Sequence, residues 1–151
     1  MARAYYSTVF EQTADQIWNA IRDFGIYEWA DGVSETYMED GEAGDAVGGI
    51  RNFRYENQHM RQRLLALSDL DRCYTFALCD PTPMRNYRAT LRVTPIVDGN
   101  RAFVEWWATF DCAADEYDQW ITFLEKEAFP KWLGSIPAYL VAEANEAVQV
   151  S

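Results

Sequence analysis

Asn86-Tyr-Arg-Ala-Thr-Leu-Arg-Val-Thr-Pro-Ile-Val-Asp-Gly-Asn-Arg-Ala-Phe-Val-Glu-Trp-Trp-Ala-Thr-Phe110 contains two strand-like runs on either side of Val97-Asp98-Gly99-Asn100. An Asp-Gly pair between alternating runs signals a two-residue hairpin, because such turns need residues that tolerate positive φ. A turn centred on Asp98 and Gly99 pairs Arg92 with Glu105 and Thr90 with Trp107 on one face. The other face then brings together Val93 with Val104, Leu91 with Trp106, Ala89 with Ala108, and Tyr87 with Phe110. One face is apolar and the other carries Arg88, Arg92 and Glu105. A slip of one residue would turn the whole apolar set outward, so the hydrophobic pattern itself sets the register.

The same logic extends backward along the chain. A turn at Glu56-Asn57 places Phe53 opposite Met60 and Arg51 opposite Gln62. A looser connection through Ser68 to Asp71 aligns Leu64 with Phe76 and Ala66 with Tyr74, leaving Leu65 and Leu67 on the outer face without explanation. His59, Arg61 and Arg63 also fall outside. Upstream, Ala4–Phe10 reads as a first strand. Thr13 with Gln16 then makes a capping-box pattern ahead of Ile17, Ala20, Ile21 and Phe24 at helical spacing, with Gly25 as a stop. A short helical turn at Tyr27–Ala30 and a strand at Val33–Glu39 come next. After Asp111 the period changes: Tyr117, Trp120, Ile121, Leu124, Ala128, Trp132 and Ile136 keep helical spacing, with Pro130 placed to bend or break the helix.

The glycines between Asp40 and Gly49 lack the spacing and the following helix of a dinucleotide fingerprint, and read as a flexible strand connection. With 151 residues, 49% hydrophobic and 15% aromatic, the chain is expected to form one domain over residues 1–151 with a substantial core. No apolar stretch approaches a membrane span and no signal peptide is evident, which points to a cytoplasmic protein without membrane insertion. Cys73, Cys79 and Cys112 are odd in number and widely spaced, which argues against disulfides. His59 is the sole histidine, so neither a metal site nor a nucleophile–histidine arrangement is expected. A net charge of −11 repels nucleic acid. The charge is uneven, with nine arginines between Arg51 and Arg101; they read as solvation of an exposed sheet face, and otherwise as a docking face for an acidic partner.

The order strand, short helices, antiparallel strands, terminal helix is an α+β pattern in which the helix lies across the concave face of the sheet. Thr13-Ala-Asp-Gln-Ile-Trp-Asn-Ala-Ile-Arg-Asp-Phe24, Val47-Gly-Gly-Ile-Arg-Asn-Phe53, Asn86–Val93 and Phe103–Phe110 together resemble bacterial polyketide cyclase/dehydratase-like proteins of the START / Bet v 1-like (SRPBCC) superfamily. The resemblance covers nearly the whole chain. It implies the helix-grip fold: a curved seven-stranded antiparallel sheet wrapped around a long C-terminal helix, with two short helices after the first strand. It also implies a cavity between sheet and helix for a hydrophobic small molecule, with no cofactor. Fold is fixed far better than function by such a resemblance, since some members catalyse cyclisation or dehydration and many only bind or carry. The family pattern implies an acidic residue where Gln62 stands, opposite Arg51; this chain departs from it, which weakens any scheme that needs a carboxylate base there.

Candidate ligand-binding residues come from the inner face and the helix: Arg51, Phe53, Gln62, Tyr74, Phe76, Tyr87, Ala89, Trp106, Ala108, Trp120, Leu124 and Trp132. Arg51 offers a fork of donors to a carboxylate or enolate, and Gln62 an amide; a buried polar contact satisfied within the protein is the plainer alternative. Tyr55, Tyr74 and Tyr87 bring phenolic hydroxyls, either as proton donors or as ordinary core. Small Ala89 and Ala108 at mid-sheet leave room for a cavity, expected at about 300–1,000 Å³. Three functions compete: binding or carrying a small hydrophobic ligand, a cofactor-independent cyclase or dehydratase, and an interaction module with a filled cavity. No catalytic residue is assigned, and a homodimer is left open.

Overall fold

Alternation of apolar and polar residues builds seven strands: β1 (Ala2–Phe10), β2 (Val33–Met38), β3 (Ile50–Tyr55), β4 (Gln58–Ser68), β5 (Cys73–Leu78), β6 (Arg85–Ile96) and β7 (Arg101–Asp111). The computed structural model describes residues 1–150, with side chains as far as 148. The strands form one curved antiparallel sheet in the order β1-β7-β6-β5-β4-β3-β2, so the first two strands of the chain lie at opposite edges.

The β6–β7 hairpin has the register that charge sorting demands. Leu91 faces Trp106 and Ala89 faces Ala108 on the inner side, while Arg92 faces Glu105 outside. Arg92 Nε and Nη2 donate to Glu105 Oε1 at 3.0 and 2.8 Å, and the Tyr5 hydroxyl of the neighbouring β1 donates to Oε2 at 2.6 Å. Of the two central turn residues only Gly99 has positive φ (82°), followed by Asn100 at 51°, so the turn is not the doubly left-handed form that Asp-Gly favours. The pairing slips between Arg85 and Arg88, where Asn86 takes φ 54°; Tyr87 is therefore no partner of Phe110, although their rings still meet at 6.3 Å.

The β3–β4 hairpin turns through Glu56 and Asn57, both with positive φ, and sets Arg51 opposite Gln62 and Phe53 opposite Met60. Between β4 and β5 the expected alternation fails after Leu64. Leu64 faces Phe76, but Ala66 faces Thr75 and Leu67 faces Tyr74. The extra residue of this bulge re-aims the side chains beyond it, so Leu67 packs against the core and Ala66 is exposed. That removes the anomaly of an outward Leu67 and corrects the Ala66–Tyr74 pairing.

Helix α1 (Ala14–Ile21) starts with a complete capping box: Gln16 N donates to Thr13 Oγ1 at 3.1 Å and Thr13 N to Gln16 Oε1 at 2.9 Å. It ends at Ile21, ahead of the Gly25 stop, and Phe24 is buried from the loop instead. The loop is clamped from outside, with Phe24 N donating to Gly44 O at 2.9 Å. A Cβ on Gly44 would fall on the Asp23 carboxylate, so only glycine allows this approach. Tyr27–Ala30 forms a single turn, Ala30 N to Tyr27 O at 3.0 Å.

The C-terminal helix runs as α2 (Tyr117–Thr122), a π-helical turn (Phe123–Ala128), α3 (Phe129–Gly134) and α4 (Ile136–Val150). Pro130 has no N–H for the carbonyl one turn back, and its ring crowds that carbonyl; the widened turn just before it relieves both problems. The π-helical turn packs against β1, and Glu125 accepts from Tyr5 N at 2.8 Å, which occupies a donor of that edge strand. Between α3 and α4 the Ser135 hydroxyl shares its one hydrogen between Trp29 O at 2.6 Å and Trp132 O at 2.8 Å, tying the helix to the Tyr27–Ala30 turn. No helix among the described residues is long and apolar enough to cross a membrane.

Candidate functional site

Where the sheet curls under the π-helical turn, a cavity of about 160 Å³ remains. Phe53, Gln62, Phe76, Tyr87 and Trp106 line it from the sheet, and Phe123, Leu124 and Trp132 from the helix. Tyr27 closes it from the loop after α1. Half-buried Tyr55, Met60, Leu78, Met84 and Phe123 mark its open side. At the rim, Trp132 Nε1 and Lys131 Nζ both donate to the Tyr55 hydroxyl at 3.3 Å. The volume falls below the expected range because aromatic side chains occupy the space: Trp106 stacks on Phe129 at 4.8 Å and lies 6.0 Å from Trp29 and 5.4 Å from Trp132.

Arg51 does not line the cavity. It is fully buried, with its Cζ 3.6 Å from the Tyr27 ring centroid and 3.9 Å from that of Phe24. Phe76 and Phe53 complete an aromatic cage at 5.0 and 5.7 Å. Arg51 forms no salt bridge among the described residues; the Glu28 carboxylate acts on it only from a distance, being held by Tyr27 N and Thr36 N. The rings supply what a carboxylate would otherwise supply, each contact contributing about 0.5–2 kcal/mol. Burial lowers the Arg51 pKa, yet a guanidinium stays charged in proteins.

The side chain of Arg51 spends two donors on one acceptor: Nε at 2.9 Å and Nη2 at 2.6 Å from Gln62 Oε1. Arginine can only donate, so the Gln62 amide has one allowed orientation and its Nε2 has no partner among the described residues. The pull of a cation on Oε1 also strengthens the Nε2 donors. The hydroxyls of Tyr27 and Tyr87 likewise have no hydrogen-bond partner among the described residues. Burial raises the pKa of both well above the normal phenol value, so they remain protonated. No Asp, Glu, His, Lys, Arg or Cys lines the cavity, and no group of such residues among the described ones could hold a metal ion.

A family model described as polyketide cyclase / dehydrase and lipid transport matches residues 1–144. The chain belongs to that family. Solved structures share its fold. A Thermobifida fusca protein is 26% identical with a TM-score of 0.81, covering 93% of each chain. The Bacillus cereus protein XoxI is 22% identical with a TM-score of 0.79, over 93% of this chain and 96% of its own. A Bacillus thuringiensis protein has the same identity and TM-score and is covered over 99% of its length. No curated protein matches the chain.

In this member of the polyketide cyclase / dehydrase and lipid transport family, the inner-face reading of the sequence brings Phe53, Gln62, Phe76, Tyr87, Trp106, Leu124 and Trp132 to the cavity. Tyr74 lies behind the wall, packed against Trp18, Phe24 and Phe76. Ala89 and Ala108 are fully buried in the sheet and do not reach the cavity; Ala108 faces Ala4 on one side and Ala89 on the other. Trp120 is half-buried against Phe123, away from the cavity. Sequence reading missed Tyr27, Val33, Met60, Leu78, Met84 and Phe123 as lining residues, and offered Tyr55 only as a phenolic hydroxyl. Tyr27 and Met84 sit in loops without periodicity. Phe123 is out of step with an α-helical stripe because the π turn shifts it, and only Pro130 hinted at that shift.

Proposed function

We propose that this protein binds or carries a small, largely apolar molecule and does not transform it. The observation supporting this is the composition of the cavity wall. Its polar groups are an amide pinned by Arg51, the indole N–H of Trp106 and the hydroxyls of Tyr27, Tyr55 and Tyr87, of which burial keeps Tyr27 and Tyr87 protonated; no carboxylate or imidazole lines it, and the nearest amine, Lys131, sits at the rim on the Tyr55 hydroxyl. Enolisation, aldol cyclisation and dehydration all require a base as well as donors. Gln62 Nε2 is the group that orients the ligand, and Arg51 acts through it as a positioning residue. The departure from an acidic residue at Gln62 supports the same reading.

The test is native mass spectrometry of freshly purified protein, followed by incubation of any released compound with fresh protein. A bound small molecule recovered unchanged is the expected result. Chemical conversion of that compound in step with protein concentration would replace this reading with the cyclase or dehydratase one. Protein that carries no compound and takes up none from a hydrophobic small-molecule panel would leave the interaction-module reading.

A further inference from the structure

We infer that the ligand is a neutral aromatic carbonyl compound with a single ring, rather than a multi-ring polyketide, a fatty acid or an aromatic acid. This rests on the binding reading above. The cavity of about 160 Å³, though open on its Met60–Met84 side, is close in volume to an engineered cavity of about 150 Å³ that accepts benzene, so the space beneath the helix is filled by one ring with a short substituent. Rings dominate the wall, and Phe53, Phe76 and Trp106 allow offset or edge contacts with another ring.

The polar groups narrow the class further. Gln62 Nε2, the buried Trp106 Nε1 and the Tyr27 and Tyr87 hydroxyls are open donors among the described residues, while the acceptors on the wall are engaged: Gln62 Oε1 takes two hydrogen bonds from Arg51, and the Tyr55 hydroxyl takes those of Trp132 and Lys131. A carbonyl oxygen only accepts and so matches this set. A carboxylate beside Gln62 would enter an apolar space without a cation, since Arg51 is shut behind Tyr27 and Phe24 and Lys131 stays at the rim on the Tyr55 hydroxyl.

Four probes separate the elements of the proposal in a ligand-observed NMR titration: acetophenone, isopropylbenzene, benzoate and 9-acetylanthracene. Acetophenone is expected to bind about five- to tenfold more tightly than isopropylbenzene, the worth of one hydrogen bond. Benzoate should bind at least about tenfold more weakly than acetophenone, because its charge is desolvated without a partner. No binding of 9-acetylanthracene should be measurable. In Gln62→Glu, which keeps an acceptor for Arg51 but removes the Nε2 donors, the ratio of acetophenone to isopropylbenzene affinity should fall. Tyr87→Phe should reduce the same advantage without touching the Arg51 pairing. Tight binding of 9-acetylanthracene overturns the size limit, and benzoate binding more tightly than acetophenone overturns neutrality; both leave the binding reading intact. An advantage undiminished in Gln62→Glu overturns the assigned donor. If no probe binds the wild type, the binding reading itself fails.

Discussion

Removing the acceptor that holds Arg51 is the sharpest perturbation of this fold. Arg51 is fully buried and gives Nε and Nη2 to a single oxygen, Gln62 Oε1, while its Nη1 has no hydrogen-bond partner. Gln62→Leu deletes that oxygen and leaves the guanidinium with its aromatic cage and the neighbouring Tyr74 hydroxyl. Breaking a buried polar pair by removing one member costs about 3–5 kcal/mol, and the remaining cage keeps the expected loss near the lower end, about 3 kcal/mol. Arg51→Met should cost about 1–3 kcal/mol, because it strands only a neutral amide. The double variant carries no stranded group, so its loss should fall short of the sum by about 2 kcal/mol. Gln62→Glu restores an acceptor and should lie within about 1 kcal/mol of the wild type, since the gain in attraction offsets the desolvation of a carboxylate. Guanidinium chloride denaturation of the four proteins gives the cycle. In thermal scans Gln62→Leu should lower Tm by roughly 10 °C, at about 2–4 °C per kcal/mol for a chain of this size. Single-variant losses that add to within about 0.5 kcal/mol in the double variant would refute the view that Gln62 compensates Arg51.

Other outcomes are expected from separate parts of the molecule. Gly44→Ala should cost about 1–3 kcal/mol, because its Cβ meets the Asp23 carboxylate and pushes the loop off Phe24, and hydrogen exchange at the Phe24 amide should rise. Ala108→Phe should also cost about 1–3 kcal/mol in denaturant titration; Ala108 faces alanines in a closed part of the sheet, so the new ring overpacks rather than fills the cavity. Glu105 is subject to burial, which raises its pKa, but hydrogen bonds from Tyr5 and Arg92 hold it below the ordinary 4.5. Its stabilising contribution is therefore complete above the unfolded-state value and lost as pH falls through the lower folded one. The stability gap between wild type and Glu105→Gln should be flat near neutrality and close in acid below the ordinary 4.5, as read from denaturant midpoints across pH.

Local chemistry made much of this protein legible from its residues alone. Alternation is a property of adjacent side chains, and turn residues act over two positions, so the β6–β7 and β3–β4 registers and the Thr13–Gln16 cap follow from the chain itself. Pro130 likewise announces a defect in the last helix by what its backbone lacks. Three features needed the folded molecule. The bulge after Leu64 exists because an apolar Leu67 gains more by turning inward than the ladder loses, a balance set by what covers that face. Cavity volume is the small remainder between a sheet and a helix packed with aromatics, so it depends on Trp29, Trp106 and Phe129 meeting from distant parts of the chain. The fate of Arg51 was decided the same way. Its strand position put it on the inner face, but the Phe24 and Tyr27 rings, delivered by the loop that follows α1, cover it and leave Gln62 as the group on the cavity wall.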